Sequence, residues 1–96
     1  MTPTTNFVAE LYRAANEIDR LTTVEKRRLL VRAAHTIVDM EELLGNVADH
    51  RSHRLATELL ALSDMVLDGV WDVLISHGFL EAADAIRRLK ILADSE

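Results

Sequence analysis

Two histidines, His50 and His53, lie close together in a segment that we expect to begin a helix. They are spaced by about one helical turn, so both imidazoles lie on one face. With the carboxylate of Asp49 they could form part of a metal site. Arg51 and Arg54 stand beside them and would oppose a bound cation. We therefore predict a polar helix start capped by Asp49, and no metal site.

His35 lies in the middle of a predicted helix, on its polar side. The segment Ala34-His35-Thr36-Ile37, followed by Gly45, resembles the motif of histidine phosphotransfer domains, helical bundles that carry a phosphoryl group on an exposed histidine. The resemblance implies a phosphorelay carrier with His35 as the acceptor. That family usually has lysine three residues and glycine four residues after the histidine, whereas this chain has Val38 and Asp39. A carboxylate there repels a phosphoryl group, so phosphorelay is the alternative function.

Residues suited to protein binding follow in the third predicted helix. Trp71 is the only tryptophan, and tryptophan is enriched at the energetic centres of protein interfaces. The candidate partner-binding residues of this helix are Leu67, Val70, Trp71 and Leu74, together with an acidic stripe of Asp64, Asp68 and Asp72. An apolar patch beside acidic residues is expected to dock another protein.

The composition restricts the classes of function. The chain has 96 residues, no cysteine, a formal net charge of −5 and a hydrophobic content of 49%. The acidic balance argues against general nucleic-acid binding, and the absence of cysteine excludes disulfides. A chain this short leaves much of its surface exposed, so some apolar surface is expected to seek a partner. The excess of arginine over lysine, with abundant alanine, leucine and valine, is typical of GC-rich bacteria and their phages.

The elements that position these residues are predicted to be helices. Apolar residues recur every three or four positions, and helix-forming residues dominate throughout. The pattern predicts helices at residues 3–21, 23–44, 49–76 and 79–93, and it leaves open a break of the third near Ser63-Asp64 or at Gly69. Thr22 and Glu25 form a capping box before the second helix, and glycines 45 and 78 are expected to end the second and third. We predict a single all-α domain over residues 1–96, an antiparallel bundle of about four helices with a long central hairpin.

The two helices of that hairpin carry complementary charges. In an antiparallel arrangement Arg32 comes level with Asp64, and Arg28 comes level with Asp68. Exposed ion pairs contribute only about 0–1 kcal/mol each, so we expect these pairs to specify the register. Alternatively, the basic residues 26–32 contact a partner, and Arg28 and Arg32 are therefore also candidate partner-binding residues.

These observations predict a small non-enzymatic regulatory or scaffolding protein that acts through protein–protein contacts, in the manner of an inhibitor or antiactivator. No nucleophile–base pair, phosphate loop or carboxylate pocket is recognisable, so we expect no enzyme activity and no cofactor. The second alternative, after phosphorelay through His35, is a nucleic-acid-associated regulator using residues 26–32. No apolar run reaches the roughly 20 residues of a membrane span, and the start lacks a secretory signal. We expect a cytoplasmic protein and a homodimer.

Overall fold

The computed structural model describes residues 3–45, 50–66 and 71–95. Within these residues the chain forms four α helices and one 3-10 turn, and no β strand. In chain order the elements are α1 (Pro3–Asn16), the 3-10 turn (Ile18–Arg20), α2 (Thr23–Leu44), α3 (His50–Met65) and α4 (Asp72–Ser95). The predicted all-α antiparallel bundle of about four helices is confirmed for this part of the chain.

The start of α2 is specified by local hydrogen bonds. The backbone N–H of Glu25 donates to the Thr22 hydroxyl oxygen at 3.1 Å, and the backbone N–H of Thr22 donates to a Glu25 carboxylate oxygen at 2.9 Å. This capping box satisfies two amide groups that the first helical turn leaves unpaired. At the other end, Gly45 has a φ of 61°, a conformation that side chains disfavour. The helix thus covers the predicted residues 23–44.

The capping box leads to a prediction about pH. The hydrogen bond from the Thr22 backbone, helped by the Thr22 hydroxyl, lowers the pKa of the Glu25 carboxyl below its usual value. A carboxyl whose pKa is lower in the folded protein stabilises the fold above its unfolded pKa, and loses that effect as pH falls through its folded pKa. Glu25→Gln should therefore lower stability in urea denaturation at neutral pH, with the difference from wild type vanishing in acid. The matched control is Glu42→Gln, an exposed position near the opposite end of α2, where removal of a carboxylate should not lower stability because the helix dipole disfavours negative charge there.

The first helix is shorter than predicted. The apolar pattern indicated a helix over residues 3–21, but α1 ends at Asn16 and the 3-10 turn Ile18–Arg20 follows. At this point the carbonyl oxygen of Ala15 accepts a hydrogen bond from the Ser76 hydroxyl of α4, at 2.9 Å. In a continuing helix this carbonyl oxygen would accept a hydrogen bond from the backbone N–H of the next turn, whereas here it accepts one from a side chain of α4.

The predicted third helix is wrong as one element. The sequence indicated a helix over residues 49–76, whereas α3 ends at Met65 and α4 begins at Asp72. An uninterrupted helix of that length would be about 42 Å long, as long as the 40 Å long axis of the molecule. In such a straight helix, the apolar residues of the second half would lie too far along the axis to pack in the core. The break allows Ile75 and Phe79 to be fully buried in the first turns of α4.

Gly78 does not end a helix, contrary to the prediction of a fourth helix over residues 79–93. It lies inside α4 and is buried. A Cβ atom at this position would lie 3.1 Å from a methyl carbon of Leu62, 3.4 Å from one of Leu59 and 3.6 Å from one of Leu30. Glycine here allows the close approach of α4 to its neighbours and does not form a turn.

The helices pack in a chain of neighbours. α1 packs on α4, α4 on α2 and α2 on α3, whereas α3 meets α4 over a smaller surface. Short side chains allow α2 and α4 to approach closely. The fully buried alanines of these two helices are Ala33, Ala34, Ala82, Ala83 and Ala85. Because α3 lies mainly against α2, its side towards α4 is left partly open.

Candidate functional site

Large apolar side chains are exposed where α3 ends and α4 begins. Trp71 is 76% exposed, Leu74 52% and Met65 50%. Met65 and Leu74 line the same groove, and Trp71 precedes Leu74 by about one helical turn. We call Met65, Trp71 and Leu74 the corner patch. Contiguous exposed apolar surface of this kind marks interaction sites in small proteins.

The corner patch continues into a shallow groove of about 280 Å³ between α3 and α4. Its floor includes the buried residues Leu59 and Gly78. The charged or titratable residues among its described lining are Glu58, His77 and Glu81, and Nε2 of His77 contacts Oε1 of Glu81. The surface is thus an apolar groove with an acidic rim, which can bind an apolar side chain.

The predicted docking residues are only partly brought together. Trp71 and Leu74 are both exposed and both belong to the corner patch, as their apolar character suggested. Leu67, Asp68 and Val70 lie outside the described residues. The predicted stripe of acidic residues on one helix is wrong, because Asp64 belongs to α3 and Asp72 to α4. Asp64 is exposed, whereas Asp72 binds the ammonium group of Lys26 at 2.8 Å.

Sequence reasoning missed part of this surface. Met65, Glu58, His77 and Glu81 were not predicted to contact a partner, because a straight third helix over residues 49–76 would carry the chain after residue 76 far from Glu58. They become neighbours only when the chain turns back after Met65. The signal was that the predicted third helix carries two adjacent apolar seams, one including Leu55, Leu59 and Leu62 and the other Ala56, Leu60 and Leu67. One straight helix cannot bury both seams against a small bundle.

Arg32 has a different partner from the predicted one. Its Nη1 atom lies 3.3 Å from Oε2 of Glu10, and its guanidinium lies 4.1 Å from the centre of the Phe7 ring. The predicted pairing of Arg32 with Asp64 is therefore wrong, because the Arg32 side chain reaches Glu10 and Phe7 of α1. The pairing of Arg28 with Asp68 falls outside the described residues. The antiparallel relation of α2 and α3 still brings Glu41 within 4.0 Å of His53.

His35 is exposed on the outer face of α2. It lines a groove together with Arg28, Arg32 and Asp39. The guanidinium that precedes His35 by about one turn is that of Arg32, which already pairs with Glu10 and stacks on an aromatic ring. About one turn after His35 comes the carboxylate of Asp39. Asp39 therefore opposes additional negative charge on the imidazole, whereas the guanidinium groups of Arg27 and Arg28 in the same lining favour it.

We expect His35→Ala to leave the fold and partner binding unchanged, because its side chain is exposed and does not line the groove beside the corner patch. The measurement is incubation with a phosphorylated receiver domain, followed by mass spectrometry under non-acidic conditions. A phosphate that appears on wild type and disappears in His35→Ala would establish the phosphorelay alternative. Circular dichroism of both proteins controls for folding.

The basic start of α2 is partly used inside the molecule. Lys26, with its side chain 15% exposed, pairs with Asp72, and Arg32 pairs with Glu10. Two of its cations are thus held by carboxylates of the same chain, which weakens the case for phosphate binding along residues 26–32. The proposed cap Asp49 lies outside the described residues. Within them, no group of three or more histidine, aspartate or glutamate side chains could hold a metal ion.

Comparison with known proteins identifies no relative that could indicate the function of this surface. No family model, no curated protein and no solved structure matches the chain. Of the helices in the described residues, none is both long and apolar enough to cross a membrane. The function therefore has to be inferred from the exposed side chains of the bundle and their chemistry.

Proposed function

We propose that this chain is a small non-enzymatic regulatory or scaffolding protein that binds another protein through the corner patch. The observation that carries the proposal is the exposure of Trp71 just before α4, close in the chain to Leu74, which lines an apolar groove together with Met65. Tryptophan buries a large area with few rotatable bonds, which is why it is frequent at the centres of interfaces. A partner that covers the exposed indole would remove its apolar area from water, which is favourable for association.

The free energy available from burying these side chains supports a role in protein binding. Full burial of a large apolar side chain contributes roughly 1.5–3 kcal/mol. Because Leu74 and Met65 are already about half buried, full coverage of the three side chains supplies a few kcal/mol toward the cost of association, which is about 4 kcal/mol or more. The groove beside them adds further contact area. A surface of this kind suits a reversible regulatory interaction.

The homodimer that the sequence suggested would use the same patch, and it stays a prediction. A two-fold dimer is the commonest small assembly, and it would bury Trp71 of each copy. Sedimentation velocity over a wide concentration range tests it directly. Dimerisation that the variant Trp71→Ala/Leu74→Ala abolishes would make a second copy the partner.

The test of the proposed function compares two variants with wild type in quantitative capture of proteins from the native host. Trp71→Ala/Leu74→Ala removes most of the corner patch. Leu43→Ala is the matched control, because Leu43 is 84% exposed near the end of α2, away from the patch. We expect wild type and Leu43→Ala to capture the same partner and the double variant to lose it at least about tenfold, equivalent to 1.4 kcal/mol. Equal capture by all three proteins would contradict the proposal, provided that circular dichroism shows each to be folded.

A further inference from the structure

The groove beside the corner patch has the dimensions and chemistry of a binding site for a helix. Its α3 wall runs from Leu55 to Met65, which corresponds to about 15 Å or roughly three helical turns. The α4 wall includes Leu74 and Gly78, and Gly78 offers no side chain to fill the groove. Recognition here has to be through side chains, because the backbone amides of both walls are bonded within their own helices. These features favour an amphipathic helix over an added β strand.

The rim determines the charge of that helix. Glu58 and Glu81 are exposed on opposite walls, one on α3 and the other on α4. His77 contacts Glu81, and the described lining contains no lysine or arginine. An apolar segment flanked by lysine or arginine would place its cations against the two carboxylates. The net charge of −5 acts in the same direction at long range.

A second copy of this chain fits the groove less well. A second copy carries the same net charge of −5, so the two copies repel each other at long range. Like charges across an interface are unfavourable and disfavour that pairing. The charge pattern therefore selects a different protein over self-association.

Resting on the proposed function, we propose that the α3–α4 groove binds a basic amphipathic helix of the partner protein. Apolar side chains of that helix, spaced by three or four residues, occupy the groove and cover Trp71. Its flanking lysine or arginine side chains lie over Glu58 and Glu81. The contacts with the apolar groove supply most of the affinity, and the acidic rim supplies selection against acidic helices.

The experiment uses two designed peptides of about 18 residues, long enough to form a helix. Both carry leucine at the same helical spacing and lack tryptophan, but one has lysine and the other glutamate at the flanking positions. Trp71, the only tryptophan, reports binding through its fluorescence emission. We expect the lysine peptide to shift the emission to shorter wavelength and to bind roughly tenfold or more tightly than the glutamate peptide. High salt should reduce the difference.

Charge variants separate the rim from the general acidity of the protein. Glu58→Gln/Glu81→Gln should weaken binding of the lysine peptide by about fivefold, the range expected for two exposed ion pairs. The matched control is Asp39→Asn/Glu42→Gln, which removes the same two charges from exposed positions on α2. The control should bind like wild type. Equal weakening by both variants would show a long-range charge effect only and would overturn the proposed rim contacts.

Other outcomes also decide the matter. Equal affinity for both peptides, binding of neither peptide, or a dimer held by the corner patch would each overturn the basic-helix proposal. The proposed function fails separately, when Trp71→Ala/Leu74→Ala captures the same host proteins as Leu43→Ala. Loss of capture by that variant, without discrimination between the peptides, would leave the docking function in place and remove only the inference about its partner.

Discussion

Phe79→Ala should lower the free energy of unfolding by about 3–5 kcal/mol. Phe79 is the largest of the fully buried side chains and lies in the core cluster that α1, α2, α3 and α4 share. Removal of its ring forfeits the burial of apolar area and leaves a cavity that the surrounding helices can only partly fill. A domain of this size is stable by about 5–15 kcal/mol in total, so the variant should be close to unfolding.

The measurement is urea denaturation followed by far-ultraviolet circular dichroism. Tryptophan fluorescence is a poor monitor here, because Trp71 is already exposed in the folded protein. The matched control is Leu80→Ala, a neighbouring position on α4 that is 40% exposed. It should cost about 1 kcal/mol or less. Equal losses for Phe79→Ala and Leu80→Ala would mean that α4 does not insert this face into the core.

Gly78→Leu should destabilise the fold by about 1–3 kcal/mol or more. The added side chain would begin at a Cβ already 3.1 Å from a methyl carbon of Leu62, with Leu59 and Leu30 close behind. Three helices meet at this point, so the new side chain must push α4 away from α2 and α3 or adopt a strained rotamer. The better helix propensity of leucine recovers only about 1 kcal/mol.

Two further variants serve as controls for the prediction about Gly78→Leu. Gly78→Ala should change stability much less, because the gain in helix propensity opposes a contact that the flexible end of Leu62 can relieve. His77→Leu introduces the same side chain one position earlier, at a residue whose side chain is 68% exposed. It should be close to neutral in urea denaturation. A Gly78→Leu protein as stable as His77→Leu would be incompatible with close packing of α4 at this position.

Gly78 also connects the stability of the bundle with its proposed function. The same glycine that permits close packing also keeps the floor of the α3–α4 groove free of a side chain. Gly78→Ala should therefore weaken binding at the groove more than it changes folding. In this protein the core and the docking surface share one helix, α4, whose buried side includes Phe79 and whose exposed side includes Leu74.

The sequence by itself determined the features that depend on neighbours in the chain. The helical class follows from propensity and apolar spacing, and the bounds of α2 follow from the capping box at Thr22 and from Gly45. These are local effects, because each involves backbone groups within four residues of one another. The exposure of His35 on the polar face of α2 was likewise readable from the helical period.

Only the tertiary structure decided where the third predicted helix breaks, what Gly78 does and which carboxylate pairs with Arg32. Each depends on which helix packs beside which, and helical spacing is the same for a long helix and for two shorter ones that fold back. The sequence alone suggests that Gly78 ends a helix, whereas the structure shows that Leu62 and Leu30 pack closely against it. Arg32 faces α1 and not α3, so Glu10 and not Asp64 becomes its partner. The groove between α3 and α4 exists for the same reason, since its two walls become neighbours only after the chain has turned.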